Sequence, residues 1–157
     1  FNLADAEHRY NMVKFAISEY PDFEVSDYEM KNGPSYTIDT MRHMKKIYNA
    51  KLYFIIGADS LYTLHTWKSY TDLVTECSFI VADRNCDQGN DVFKAAQKVK
   101  SMGGDVKILS MPKFDVTSTF VREKVALGDD VSAFVSKNVN QYIKDNNLYK
   151  SNPEDQR

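Results

Sequence analysis

Two apolar periods alternate along this chain. Leu52-Tyr53-Phe54-Ile55-Ile56 is a continuous run of strand formers closed by Gly57, and Phe79-Ile80-Val81-Ala82 and Val106 to Met111 are two more. Runs of this kind, apolar on both faces, are typical of strands buried in a parallel sheet. Between the first two lies a helical stretch near Tyr70 to Glu76. Between the last two, Val92 to Met102 has helical spacing and is closed by Gly103-Gly104. Strand, crossover helix, strand, repeated, predicts an α/β fold with a parallel sheet and right-handed connections.

The flanks read as helices. Asp5 can cap a helix running to about Tyr20, with Met12, Val13, Ala16 and Ile17 as its apolar stripe and Pro21 as its stop. Phe23-Glu24-Val25 is a short strand candidate. Asn32-Gly33-Pro34 forms a turn, and Ser35 or Thr37 then opens a helix to about Tyr48, with Ile38, Met41, Met44 or Lys45, and Tyr48 on one face. Further helices are expected from about Ser118 to Leu127, ended by Gly128, and from about Asn138 to Asn146, with Val139, Tyr142 and Ile143 inward. Residues 1–150 are read as one α/β domain and residues 151–157 as a polar tail.

Composition narrows the function. The 157 residues carry 20 Lys plus Arg against 22 Asp plus Glu, a net charge of -2. A domain built to grip nucleic-acid phosphates carries a basic excess, so no nucleic-acid partner is expected. The longest apolar runs are far too short to span a bilayer. No charged n-region followed by an apolar h-region marks a secretory signal. Cys77 and Cys86 match neither a redox pair nor a zinc pattern, which fits reduced thiols and a cytoplasmic location. His8, His43 and His65 have no metal-ligand spacing, so no metal-binding residue is assigned.

In parallel α/β folds ligands sit beyond the carboxyl ends of the strands, and chemistry is sought there. Gly57 lets backbone approach a ligand, and Asp59 can accept hydrogen bonds from ribose hydroxyls; taken alone, a turn and a helix cap are the simpler explanation of both. Trp67, the only tryptophan, offers a flat face for a heteroaromatic ring, or packs as a core or lid aromatic. Arg84 can fork onto a phosphate or pair with Asp83 or Asp87. The helix start at Thr117-Ser118-Thr119 is the sharpest signal. Arg122 lies one turn in, on the face of Ser118 and Thr119, where the helix dipole disfavours a cation unless an anion offsets it. Gly33 to Thr40 sets a rigid turn against another helix start, either a capped helix or a second anion- or amide-binding corner.

In this order these segments resemble the bacterial nicotinate-nucleotide adenylyltransferases, members of the nucleotidyltransferase superfamily. The resemblance runs through Ala4 to Arg9, Gly33 to Thr40, Tyr53 to Asp59, Trp67-Lys68, Val81 to Arg84, Thr117 to Arg122, and the closing Tyr142-Ile143 and Leu148-Tyr149. It implies a Rossmann-like nucleotide-binding domain that transfers AMP from ATP, with Mg2+, to nicotinate mononucleotide, giving deamido-NAD and pyrophosphate. It assigns Ser118, Thr119 and Arg122 to the ATP phosphates and Gly57 and Asp59 to the adenylate ribose. Trp67 is assigned to the pyridine ring, Tyr36 and Thr37 to the nicotinate pocket, and Arg84 to the mononucleotide phosphate. A homo-oligomer is left open.

The family also has an N-terminal strand, a Gly-rich turn and a His-x-Gly-His motif whose histidines contact ATP. None of these lies between Phe1 and Arg157, so no catalytic residue is identified. On this reading the 157 residues are a portion of a longer enzyme, inactive by themselves. Two alternatives stand beside it: a nucleotide-binding module without catalysis, and a related adenylyltransferase acting on nicotinamide mononucleotide.

Overall fold

The computed structural model describes residues 3–83, 91–112 and 116–150. These form two compact units, one holding the described residues up to Lys31 and after Asp115, the other those from Asn32 to Phe114.

The second unit is built on three parallel strands, β1 (Tyr53–Gly57), β2 (Ser78–Asp83) and β3 (Asp105–Ser110), in that spatial order. Phe54 pairs with Phe79 and Phe79 with Val106, so one register runs across the sheet. Parallel neighbours need crossovers. The first is α4 (Ala58–Thr63), a short 3-10 turn at Leu64–Thr66, and α5 (Tyr70–Glu76); the second is α6 (Asp91–Ser101). Ahead of them lies α3 (Thr37–Tyr48). Ile38, Leu61, Leu64, Leu73, Val74 and Val99 of these helical segments close over Phe79 and Val81 to make the core.

Of the three strands β2 is the most buried, with Phe79 and Val81 closed off on one face and Ile80 and Ala82 half-exposed on the other. The sequence reads all three strands as buried on both faces, but Tyr53 and Leu109 are exposed and Ile55 is 69% exposed. Strands laid down in sequential order with right-handed crossovers place their helices on one side of the sheet, and it is the Phe54, Ile56, Val106 and Ile108 face that packs on the core.

The first unit holds α1 (Ala6–Ala16), α2 (Tyr28–Lys31), α7 (Ser118–Ala126) and α8 (Lys137–Asp145). Val139, Ile143 and Leu148 form its small core. Helix α1 keeps half of its predicted stripe. Met12 packs on this core and Ile17 is half-buried, but Val13 and Ala16 are exposed, and His8, Asn11 and Phe15 also meet α8, gathered on Tyr142. The Tyr142 hydroxyl, half-buried, needs polar partners, and it has His8 Nδ1 at 2.9 Å and donation from Asn11 Nδ2 at 3.1 Å. The expected strand at Phe23 to Val25 is irregular backbone with Phe23 exposed. The predicted tail, residues 151–157, lies outside the described residues.

Gly103 and Gly104 do different work. Gly103, at φ +89, turns the chain out of α6. Gly104 is held by crowding: an added Cβ would sit 2.6 Å from Val99 Cγ1 and 2.9 Å from the Val74 carbonyl. A Gly104→Ala variant is therefore expected to lose about 1–3 kcal/mol of stability, read as a lower urea midpoint. Helices α3 and α5 are clasped by Arg42, which donates to Glu76 and Asp72. That hydrogen bond holds the Glu76 carboxyl below its ordinary 4.5. A carboxylate lowered on folding contributes stability above the unfolded value and loses it as pH falls through the folded one. Denaturation midpoints of the parent and Arg42→Met should thus differ at neutral pH and converge below about pH 4.

Candidate functional site

Within the sheet unit, the carboxyl end of β1 runs through Gly57 directly into α4. Gly57 occupies the cap position with no side chain to offer. Asp59 is therefore not the cap that a turn-and-cap explanation needs. It lies in the first turn of α4, exposed, and its carboxylate accepts no hydrogen bond from the described residues. Burial first, then the charges of Asp83, Asp91 and Asp59, push the Tyr62 hydroxyl up. The strand ends thus have a negative neighbourhood, which accepts hydrogen bonds from hydroxyls and repels phosphate.

Trp67 follows the 3-10 turn and is half-buried. Its ring meets Phe54 edge to face, centroids 6.1 Å apart at 75°, and Phe54 meets Phe79 the same way. The indole is anchored to the core by one side while remaining partly open to solvent. The contact with Phe54 is the packed-aromatic arrangement, and part of the ring stays open. Tyr36 sits at the cap position of α3 and Thr37 is its first helical residue. Gly33, at φ +70, makes the preceding turn. Tyr36 is 54% exposed and packs into no core. The Lys68 ammonium lies 4.0 Å from its ring centroid and donates to Asp39 Oδ2 at 3.0 Å. Arg84 lies outside the described residues.

In the other unit, Thr117 is the side-chain cap of α7, its Oγ1 accepting from Phe120 N at 3.0 Å. This leaves Ser118 and Thr119 exposed at the helix start, where the first N–H groups of a helix have no intrahelical acceptor. Arg122 Nη2 donates to Thr119 Oγ1 at 3.1 Å, folding the guanidinium back to that start. Its Nε is buried and has no acceptor among the described residues. Burial pushes the Tyr149 hydroxyl up while Arg122 and Arg9 draw it down, so Arg9 adds a second positive charge to this neighbourhood. Sequence reasoning singled out neither Arg9 nor Lys68. The Ala4 to Arg9 segment was visible, but only the folded chain brings Arg9 near Arg122.

Among the described residues no three His, Cys, Asp or Glu side chains gather as a metal site. No helix there is long and apolar enough to cross a membrane. A cavity of about 530 Å3 opens at the amino ends of the strands, beside Leu52, Ser78 and Asp105. Two of its carboxylates are already committed, Asp105 to Lys51 and Ser78, and Glu76 to Arg42. Cys77 lines it as a buried thiol that burial pushes up to about 11.

Known proteins point to one chemistry. The family model described as Cytidylyltransferase-like matches residues 1–124. A protein of Thermoanaerobacter sp. (strain X514) named a probable nicotinate-nucleotide adenylyltransferase is 38% identical over 156 residues, covering 97% of this chain and 74% of that one. A protein of the same name from Clostridium tetani is 36% identical, covering 94% and 76%. Two solved structures of Plasmodium falciparum nicotinic acid mononucleotide adenylyltransferase, one complexed with APC and one with NaAD, share the fold. They superpose with TM-scores of 0.70 and 0.71 at 20% identity, covering 94% and 95% of this chain and 77% and 76% of theirs.

The two hydroxyl sets at α7 separate by role. Thr117→Ala removes a cap and is expected to cost about 1 kcal/mol in chemical unfolding. Ser118→Ala, whose hydroxyl is exposed, is expected to stay within about 0.5 kcal/mol of the parent.

Proposed function

The chain belongs to the nicotinate-nucleotide adenylyltransferases, and we propose from this premise that its site residues divide the two substrates as follows. ATP and nicotinate mononucleotide react to give deamido-NAD and pyrophosphate. An oxygen of the mononucleotide phosphate attacks the α-phosphorus of ATP. A P–O bond forms there as the bond to the bridging oxygen of the β-phosphate breaks, and the electron pair leaves with pyrophosphate. No protein nucleophile is needed, so the side chains act by holding the two phosphates in line and balancing charge.

The observation that carries the phosphate assignment is Arg122. One of its N–H groups is spent on Thr119, while its buried Nε has no acceptor among the described residues, at the positive end of α7. A triphosphate supplies the missing acceptor and meets the open N–H groups of Ser118 and Thr119. Arg9 adds charge beside it. Mg2+ enters with ATP as part of the substrate and neutralises phosphate charge.

Gly57 and Asp59 take the adenylate ribose, the glycine by leaving room and the carboxylate by accepting from hydroxyls. Trp67 stacks on the pyridine ring, and Tyr36 and Thr37 border the nicotinate carboxylate at the positive end of α3. Arg84 serves the mononucleotide phosphate. The acid is the substrate rather than the amide because a carboxylate gains from a helix start what a neutral carboxamide does not.

Calorimetry and a pyrophosphate-coupled assay test the division of labour. Trp67→Ala is expected to weaken nicotinate mononucleotide about tenfold or more, in line with loss of ring stacking, and to leave ATP affinity unchanged. Arg122→Ala is expected to do the reverse, weakening ATP at least tenfold. Equal effects of each variant on both ligands, or preference for nicotinamide mononucleotide by the parent, would overturn this assignment.

A further inference from the structure

Lys68 has no role in the assignments above, yet its ammonium joins two segments of the sheet unit. It donates to Asp39 Oδ2, 3.0 Å away in the first turn of α3, and lies 4.0 Å from the centroid of the Tyr36 ring. The residue before it is Trp67. The residue after it, Ser69, is in the left-handed region at φ 50, a conformation uncommon for a residue with a side chain. The backbone therefore turns sharply just where Lys68 crosses to the start of α3.

We propose that Lys68 is a positioning residue of the pyridine pocket, acting by pinning the exposed Tyr36 ring, and the start of α3, to the segment that carries Trp67. The inference rests on the reading of Trp67 and Tyr36 as the nicotinate side of the site. Trp67 has its own anchor in Phe54, and Tyr36 has no such support. It is half-exposed, joins no core cluster, and its recorded ring contact is with Lys68. A ring left free must be ordered when substrate arrives, and that cost weakens binding. A ring already held by a cation on its face has met the cost in advance.

This role differs from a structural one in what it predicts. Exposed ion pairs contribute little to global stability, and both partners are largely exposed, at 46% for Lys68 and 44% for Asp39. Removal of the ammonium should therefore spare the fold and act on one substrate. It differs from a catalytic role too, because substrate that has paid to order the ring reacts normally.

Steady-state kinetics on the full-length enzyme, with Trp67→Ala measured in the same background, decide it. Lys68→Met is expected to raise KM for nicotinate mononucleotide about tenfold, with kcat within about twofold, KM for ATP unchanged and the melting temperature unchanged. Lys68→Arg is expected to restore most of that KM, because a guanidinium can also pair with Asp39 and stack on Tyr36. An unchanged KM in Lys68→Met alongside a raised one in Trp67→Ala overturns the positioning role and leaves the pocket assignment standing. A fall in kcat alone, or a KM that Lys68→Arg does not rescue, also overturns it. If neither Lys68→Met nor Trp67→Ala moves KM for the mononucleotide, the pocket assignment itself fails.

Discussion

The sheet unit depends on the double obligation of β2. Its residues are hydrogen-bonded to a strand on each side, and Phe79 and Val81 are fully buried. A strand so placed tolerates no slip in register, since a shift by one residue would turn Phe79 and Val81 out of the core and bring the half-exposed Ile80 and Ala82 face in. Its neighbours run parallel to it, so the chain must leave the sheet and return between strands. Those returns are what deliver α4 and the Trp67 segment, and they fix Gly57 and Asp59 at a strand end. Chemistry placed there inherits the rigidity of the strand behind it.

The strands were legible because each is a dense apolar run bounded by glycine or charge, and the helices α5 and α6 because they are all that can fit between them. Phe23 to Val25 misled because three residues with strand composition are not a strand without a partner edge. On α1, a count of apolar positions chose Val13 and Ala16, while the contact that decides its face is a tyrosine hydroxyl contributed by residue 142. The demand of one half-buried hydroxyl outweighed part of the apolar periodicity, while Met12 kept its place against the core. The open faces of β1 and β3 were equally hidden, because a continuous apolar run does not say which side the crossover helices will cover.

The candidate site shows the same division. The start of α7 was readable, since hydroxyls followed by an arginine in the first turn are at odds with the helix dipole. The sequence could not say which hydroxyl caps the helix and which stays open. Thr117 takes the cap, and that choice leaves the Ser118 hydroxyl exposed and the Thr119 hydroxyl as acceptor for Arg122. Asp59 went the other way: a cap in the simplest reading, an unengaged carboxylate in the fold, because α4 begins one residue earlier, at Ala58. Lys68 and its partners span about 30 positions of sequence, and no local pattern announces a contact of that range.

The single tryptophan stands at the point where core and solvent meet, with one side braced by Phe54 and the rest of the ring partly open. An indole emits according to the polarity and mobility of what surrounds it. Excited at wavelengths beyond the absorption of its ten tyrosines, this chain therefore carries a built-in optical reporter whose light originates at one indole. A ring braced against the core is also a poor rotor, so changes in its emission speak of its open side rather than of the body of the fold.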